Sequence, residues 1–128
     1  MKKIFFSILA LSLLTILFVA CGGAGTGSSY NGPNTVHMGD TSFLQSVITI
    51  KKGSKLTLVD DSSQQHIIEN GMWANDGEQK PLNEPGAPKV DASFFDGTPQ
   101  SFGPFNTDGT YHLYCTVHQG MNLTVIVQ

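Results

Sequence analysis

The chain has 128 residues, which is enough for one domain and a short leader. Seven lysines, no arginine and ten acidic residues give a net charge of −3, which argues against a nucleic-acid surface or a phosphate clamp. With 13% charged and 40% hydrophobic residues, the chain can bury a modest core instead of remaining disordered.

Residues 1–20 predict a signal peptide of the lipoprotein type. Lys2 and Lys3 precede an apolar run over residues 4–19 that is short for a membrane span. Segment 18–22, Phe-Val-Ala-Cys-Gly, resembles the lipobox of bacterial lipoproteins, although Phe18 stands where that motif usually has Leu. We therefore expect a lipid on Cys21 and an extracytoplasmic protein anchored to the bacterial cell membrane. Ordinary cleavage that leaves Cys21 free is the alternative.

Residues 21–34 are rich in Gly, Ser and Asn, and this composition predicts a flexible tether. A folded domain is then expected over residues 35–128. In that domain apolar residues alternate at a period of two, no helical stripe is visible, and Gly, Pro, Asp and Asn separate the segments. The pattern predicts an all-β sandwich, with strands around residues 36–38, 47–50, 56–59, 66–68, 102–105, 111–115 and 123–127. Residues 69–100 predict a long irregular connection with one helical turn or one short strand.

Segment 115–121 carries the most informative pattern of the chain. Cys115, His118 and Met121 recur at every third position, in the order Cys-x-x-His-x-x-Met. Soft sulfur ligands beside imidazole suit copper, and two His and one Cys with a weak Met describe a blue-copper electron-transfer site. Three residues on one short loop cannot enclose a metal, so a second histidine must come from another strand.

Strand parity sorts the remaining histidines. His112 lies three residues before Cys115 and so faces the other side of its strand. His37 stands between two apolar residues and should point outward. His66 follows a polar turn and opens an apolar strand, where a ligand on a neighbouring loop could meet it. We expect His66 to be the missing ligand, with His37 as the alternative.

Residues 109–127 resemble the C-terminal end of plastocyanin, and the two-residue spacing between His118 and Met121 resembles amicyanin. Residues 48–53 and the later His66 are similar to the first half of the same family, the cupredoxins or blue copper proteins. The resemblance implies a Greek-key β-sandwich of seven to eight strands. It also implies one copper ion per chain, in a type-1 site, with the ligands His66, Cys115, His118 and Met121.

The chain departs from this family at Ile67, where those proteins often have an Asn that braces the ligand loop. Ser62 or Thr116 is expected to replace that hydrogen bonding. Tyr114 shares the parity of His112, so we expect it to face outward and to lie on a possible electron path. Asp60, like the other acidic residues of the turns, is expected to be a solvated charge.

These features predict a membrane-tethered electron carrier that is monomeric, is not an enzyme and meets a donor and an acceptor redox protein transiently. The alternative is a copper-binding delivery or storage protein without an electron-transfer role. A copper enzyme is less expected, because the chain has no His-x-His pair for a second copper.

Overall fold

The computed structural model describes residues 30–128. The leader, Cys21 and most of the tether lie outside these residues, so the division into leader, tether and domain stays a prediction. No helix within residues 30–128 is long and apolar enough to cross a bilayer. This part of the chain forms nine strands: β1 (Thr35–Met38), β2 (Val47–Ile50), β3 (Leu56–Asp60), β4 (His66–Trp73), β5 (Gln79–Pro81), β6 (Asp91–Phe94), β7 (Gln100–Phe102), β8 (Gly109–Cys115) and β9 (Asn122–Val127).

The strands form two sheets. The first has the order β1-β3-β7, with β1 parallel to β3 and β7 antiparallel to it. The second has the order β2-β9-β8-β4, and the outer edge of β4 pairs with β6 along its first half and with β5 along its second half. The predicted metal ligands lie on or between the central strands of the second sheet, β4, β8 and β9.

The core lies between the two sheets and follows the period-two pattern. In β9, Leu123, Val125 and Val127 are buried while the residues between them are partly exposed. In β2, Ile48 and Ile50 are buried in the same way. Each such side chain removed from water contributes about 2 kcal/mol, so the alternation fixes which face of each strand points inward.

The all-β sandwich predicted from the sequence is confirmed, with nine strands in the described residues where seven to eight were expected. The prediction for residues 69–100 is wrong in its detail. Strand β4 continues to Trp73, and β5 and β6 lie within the segment expected to be irregular. The Gly and Pro residues there interrupt the alternation that predicts strands. The backbone at the outer edge of β4 nevertheless pairs with β5 and β6, which no local pattern shows.

Candidate metal centre

The predicted ligands meet at one end of the second sheet. His66 begins β4 and Cys115 ends β8, and in this antiparallel pair Ile68 lies opposite Cys115. His66 therefore stands two residues beyond the end of β8. The loop over residues 116–121, which joins β8 to β9, crosses that position. The strand register thus brings a histidine from β4 to a loop that follows it by about fifty positions.

Backbone hydrogen bonds hold the loop in a compact shape. At the end of the strand, the amide of Cys115 donates a hydrogen bond to the carbonyl of Met121 at 3.0 Å. The amide of Met121 donates to the carbonyl of His118 at 3.2 Å, and the amide of Thr116 donates to that of Ile67 at 2.8 Å. Gly120, with φ of 78°, supplies the left-handed residue that this tight return needs.

Three donor atoms converge inside this frame. The Sγ atom of Cys115 lies 3.7 Å from Nδ1 of His66 and 3.4 Å from Nδ1 of His118. All three ligand atoms lie within 4.8 Å of one another. Metal–sulfur and metal–nitrogen bonds of about 2.3 and 2.0 Å, 120° apart, place sulfur and nitrogen about 3.7 Å from each other. The two sulfur–nitrogen distances therefore fit one metal ion bound by Cys115, His66 and His118.

Burial and protonation also suit a metal. Cys115 and His66 are fully buried, and His118 is partly exposed. Burial lowers the pKa of His66, and His118 lowers it further, while Asp60 and the Gly39 backbone partly offset the shift. A lowered pKa keeps the imidazole neutral near pH 7, which is the form that binds metal.

The family profile described as copper-binding proteins of the plastocyanin/azurin family matches residues 30–128. The chain belongs to that family. Its cofactor is copper, one ion per chain, and the grouped residues His66, Cys115 and His118 fit that ion. The role of each of these residues as a ligand stays a prediction.

Solved cupredoxins share the fold. A purple cupredoxin from Nitrosopumilus maritimus is 18% identical, with a TM-score of 0.55 over 73% of this chain and 98% of its own. Amicyanin from Paracoccus versutus is 22% identical, with a TM-score of 0.55 over 73% of this chain and 79% of its own. A Cu(I) form of an amicyanin variant is 17% identical, with a TM-score of 0.57 over 77% and 85%. A search of curated proteins found no match.

Met121 of this cupredoxin is almost fully buried and belongs to the core cluster. Its backbone is bonded to Cys115 and to His118, so it lies in the same loop as two of the grouped residues. Its role as the weak axial ligand stays a prediction. An axial contact depends on where the Met121 sulfur lies relative to the three donor atoms.

The other two histidines have different partners. Nδ1 of His112 lies 2.6 Å from Oε1 of Glu84, and the His112 amide donates to the same carboxylate. Nδ1 of His37 lies 2.8 Å from Oδ2 of Asp61, and the ring is half-buried instead of solvent-facing as expected. Neither residue joins the donor group found in the described part of the chain, so the alternative ligand His37 has no support.

Asp60 contradicts its predicted role as a solvated turn charge, because its side chain is 0% exposed. Its Oδ1 atom accepts hydrogen bonds from the amide and the hydroxyl of Ser62, at 2.9 and 2.7 Å. The Ser62 hydroxyl lies 3.2 Å from Nε2 of His66. Ser62 thus contacts the imidazole as expected, whereas Thr116 contributes its backbone. No alternation marks Asp60, because all five residues of β3 are buried.

Tyr114 lies on the outward side of β8, as its parity predicts, but it is buried instead of exposed to solvent. Its side chain points away from the core, onto the outer face of β8, which is covered by the hairpin of β4 and β5. Trp73 packs edge-on against it, with ring centroids 6.3 Å apart, and its hydroxyl lies 3.5 Å from Oε1 of Gln79. Burial, and then Glu69, raise the pKa of Tyr114, which keeps it a neutral phenol. Its place on an electron path stays a prediction.

The hairpin also fastens the ligand loop, a contact that the sequence patterns did not reveal. The indole nitrogen of Trp73 donates to the carbonyl of Cys115 at 2.8 Å, and the Gln79 amide donates to that of Thr116 at 2.9 Å. The side chain of Asn122 joins both backbone groups of Trp73, at 2.7 and 2.9 Å. Trp73 therefore supports the ligand loop through direct hydrogen bonds.

Proposed function

We propose that this chain is a type-1, or blue, copper protein that carries single electrons between two redox proteins. The observation that supports this most directly is the arrangement of one sulfur and two imidazole nitrogens at trigonal distances around Cys115. Copper bound there supplies one-electron redox chemistry. Thiolate ligands favour Cu(I) and imidazole is acceptable to both oxidation states, so a rigid set of this kind needs little rearrangement when the charge changes.

Rigidity is what the surrounding residues contribute. His66 and Cys115 are fully buried at the ends of two paired strands, and the loop between Cys115 and Met121 is closed by its own backbone hydrogen bonds. Trp73 adds a further bond to the Cys115 carbonyl. Ligands held in this way move little between oxidation states, and a small movement makes electron transfer fast.

We propose that electrons enter and leave through the edge of His118. Among the three grouped residues, only His118 is partly exposed. Val117 beside it is 49% exposed, which gives the surface an apolar element. Transient redox complexes bury less than about 1,200 Å², so a small surface around this histidine is sufficient for a short-lived partner.

Tyr114 is a second possible route because it adjoins Cys115 in the chain. A partner could not touch its ring directly, since Trp73 and Gln79 cover it. Tyr114→Phe keeps the packed ring and removes the hydroxyl. If the tyrosine serves as a route, this variant should slow transfer to one of the two partners while the absorption spectrum stays the same.

We further propose that the protein is extracytoplasmic, in the periplasm or on the outer face, and is attached to a bacterial cell membrane through a lipid on Cys21. Residues 21–34 would then act as a tether that keeps the domain near its partners. Support comes from the apolar leader and the lipobox-like segment that ends it. We propose a carrier instead of an enzyme, because burial of His66 and Cys115 limits the access of a substrate to a metal bound there. We also propose that the carrier is a monomer.

An absorption and EPR spectrum of the leaderless chain loaded with Cu(II) tests the copper assignment. We expect an intense visible band from charge transfer between the Cys115 thiolate and copper. Cys115→Ser should abolish this band, and a variant that stays blue would contradict the assignment. His37→Gln is the control, since that ring lies outside the donor group, and it should keep the full band.

Redox cycling separates the electron carrier from a copper delivery or storage protein. The loaded protein is reduced and reoxidised repeatedly in the presence of a Cu(I) chelator. A carrier with buried ligands keeps its metal, and the blue band returns in full. Loss of copper to the chelator in the first reduced state would favour the delivery role instead.

A further inference from the structure

We propose that Asp60 and Ser62 are positioning residues for His66. They determine which ring nitrogen carries the proton and how the ring is oriented, and Asp60 adds a negative charge on the side of the ring that faces away from Cys115. This inference rests on the proposed copper site, but not on electron transfer to any partner. It concerns the side of His66 that faces away from Cys115, where Nε2 meets the Ser62 hydroxyl. The argument begins with the single proton of that hydroxyl.

A serine hydroxyl has one hydrogen to donate and two lone pairs that accept. The shortest contact of Ser62 Oγ is the 2.7 Å hydrogen bond to Oδ1 of Asp60, and a carboxylate oxygen can only accept it. The amide of Gln64 donates to the same hydroxyl at 3.1 Å. One lone pair then remains for the 3.2 Å contact with Nε2 of His66.

It follows that Nε2 of His66 carries the proton and donates it to Ser62. A neutral imidazole has only one N–H, so Nδ1 must then be the nitrogen with the free lone pair. Nδ1 is also the atom that lies 3.7 Å from the Cys115 sulfur, inside the donor group. The chain from Asp60 through Ser62 therefore selects the tautomer that can bind a metal, before any metal arrives.

Asp60 adds an electrostatic effect. Its side chain is 0% exposed, and its Oδ2 atom has no hydrogen-bond partner in the described part of the chain. The Nε2 atom of His66, a neutral imidazole, lies 3.6 Å from Oδ1. A buried carboxylate without a cation is costly, and a metal ion held by the donor group on the other side of the imidazole would supply a balancing positive charge.

This negative charge distinguishes the two oxidation states of a copper ion. Cu(II) carries one more positive charge than Cu(I), so a fixed carboxylate behind His66 stabilises the oxidised protein more than the reduced one. Asp60 therefore lowers the reduction potential of the site. Ser62 has a different effect, because it carries no charge and acts on the imidazole proton alone.

Three variants separate these effects. Ser62→Ala removes the hydroxyl and keeps the charge. Asp60→Asn removes the charge and keeps an oxygen that can accept from Ser62. Asp61→Asn is the matched control, since it makes the same change of charge at the next residue, which is partly exposed and lies against His37 instead of His66.

The first measurement is ¹⁵N NMR of the imidazoles in the metal-free protein. We expect the unmodified chain to show His66 with its proton on Nε2, and Ser62→Ala to show a mixture of tautomers. The second is the reduction potential of the copper-loaded proteins, which should rise in Asp60→Asn by clearly more than in Asp61→Asn. Copper affinity should fall about 10-fold or more in Ser62→Ala.

A proton on Nδ1 of His66 in the metal-free protein would overturn the positioning role. Equal potentials in Asp60→Asn and Asp61→Asn would overturn the electrostatic role. If Asp60→Asn does not fold, the affinity and the tautomer of Ser62→Ala decide the inference alone. If the chain does not bind copper, the proposed function and the electrostatic role fail together, while the NMR result still decides whether Ser62 sets the tautomer.

Discussion

The indole Nε1 of Trp73 donates a 2.8 Å hydrogen bond to the backbone carbonyl of Cys115. This bond joins the β4–β5 hairpin to the end of the strand that supplies the sulfur. Because Cys115 is fully buried, its carbonyl has little access to water, and the indole is the side-chain donor that satisfies it. The same tryptophan covers Tyr114, so one side chain serves both the ligand strand and the tyrosine behind it.

Trp73→Phe should destabilise the metal-free protein by about 1–3 kcal/mol, because it leaves the Cys115 carbonyl without its donor while an aromatic ring stays against Tyr114. Urea unfolding measures the change. Phe95→Leu is the control, since Phe95 is 71% exposed and should alter the free energy of unfolding by less than about 0.5 kcal/mol. Equal effects of the two variants would show that the hydrogen bond contributes nothing.

Gly71→Ala should disrupt the hairpin that carries Trp73. Gly71 has φ of 142°, and an added Cβ would lie 2.8 Å from Cε1 of Tyr114 and closer still to the carbonyl of Lys80. Gly53→Ala is the matched control, since Gly53 also has a positive φ, of 82°, but nothing within 4 Å of its Cβ position. We expect Gly71→Ala to cost at least about 2 kcal/mol more than Gly53→Ala in thermal or urea unfolding.

The stability of the metal-free protein should fall as the pH drops below the ordinary histidine pKa of 6.5. Burial lowers the pKa of His66 in the folded state, so between the folded value and 6.5 the unfolded chain binds a proton that the folded chain does not. The free energy of unfolding then decreases by up to about 1.4 kcal/mol per pH unit. His66→Gln removes this group. Urea unfolding of that variant between pH 7 and 5 should show a free energy of unfolding that depends less steeply on pH. An unchanged slope would contradict the shift.

Met121→Leu should keep copper bound and raise the reduction potential. Leucine fills nearly the same buried volume, while the loss of the thioether removes a weak ligand that stabilises the site only slightly. Voltammetry and metal analysis measure the two quantities. Met72→Leu, a change in the partly exposed part of the hairpin, should leave the potential where it is. Complete loss of copper in Met121→Leu would mean that the sulfur binds more strongly than an axial ligand should.

Cys21→Ser should release the protein from the membrane fraction, because serine cannot take the thioether-linked lipid that the lipobox-like segment predicts. Fractionation of cells that express the full chain measures the distribution. Cys115→Ser provides the control, since it removes the other thiol and should leave the protein with the membrane. A Cys21→Ser protein that remains membrane-bound would favour an uncleaved leader as the anchor.

The local patterns were sufficient for the fold class and for most of the site. A run of β-branched residues identified β2, alternation identified β9 and its inward face, and the spacing of Cys115, His118 and Met121 placed three candidate ligands on one loop. His66 could be selected among four histidines because it opens an apolar strand. These features depend on residues close in sequence, where period and spacing translate directly into geometry.

Residues 69–100 and Tyr114 show where such reasoning stops. Parity correctly turned Tyr114 away from the core, but it could not show that β4 and β5 fold back over the outer face of β8. The hairpin exists because the edge of β4 pairs with residues that lie six to ten positions further along the chain. Asp60 was misjudged for a related reason, since a charge at a strand end was assumed to reach water.

Sequence alone therefore determined the all-β class, the strands outside residues 69–100 and which residue types gather as soft donors, because each follows from local alternation and from the chemistry of sulfur and imidazole. Tertiary structure decided what lies behind those donors. The burial of Asp60 against His66 and the bond from Trp73 to Cys115 arise from strand pairing between distant segments. Hydrogen bonds of that kind depend on distances in space, which no local pattern of residues records.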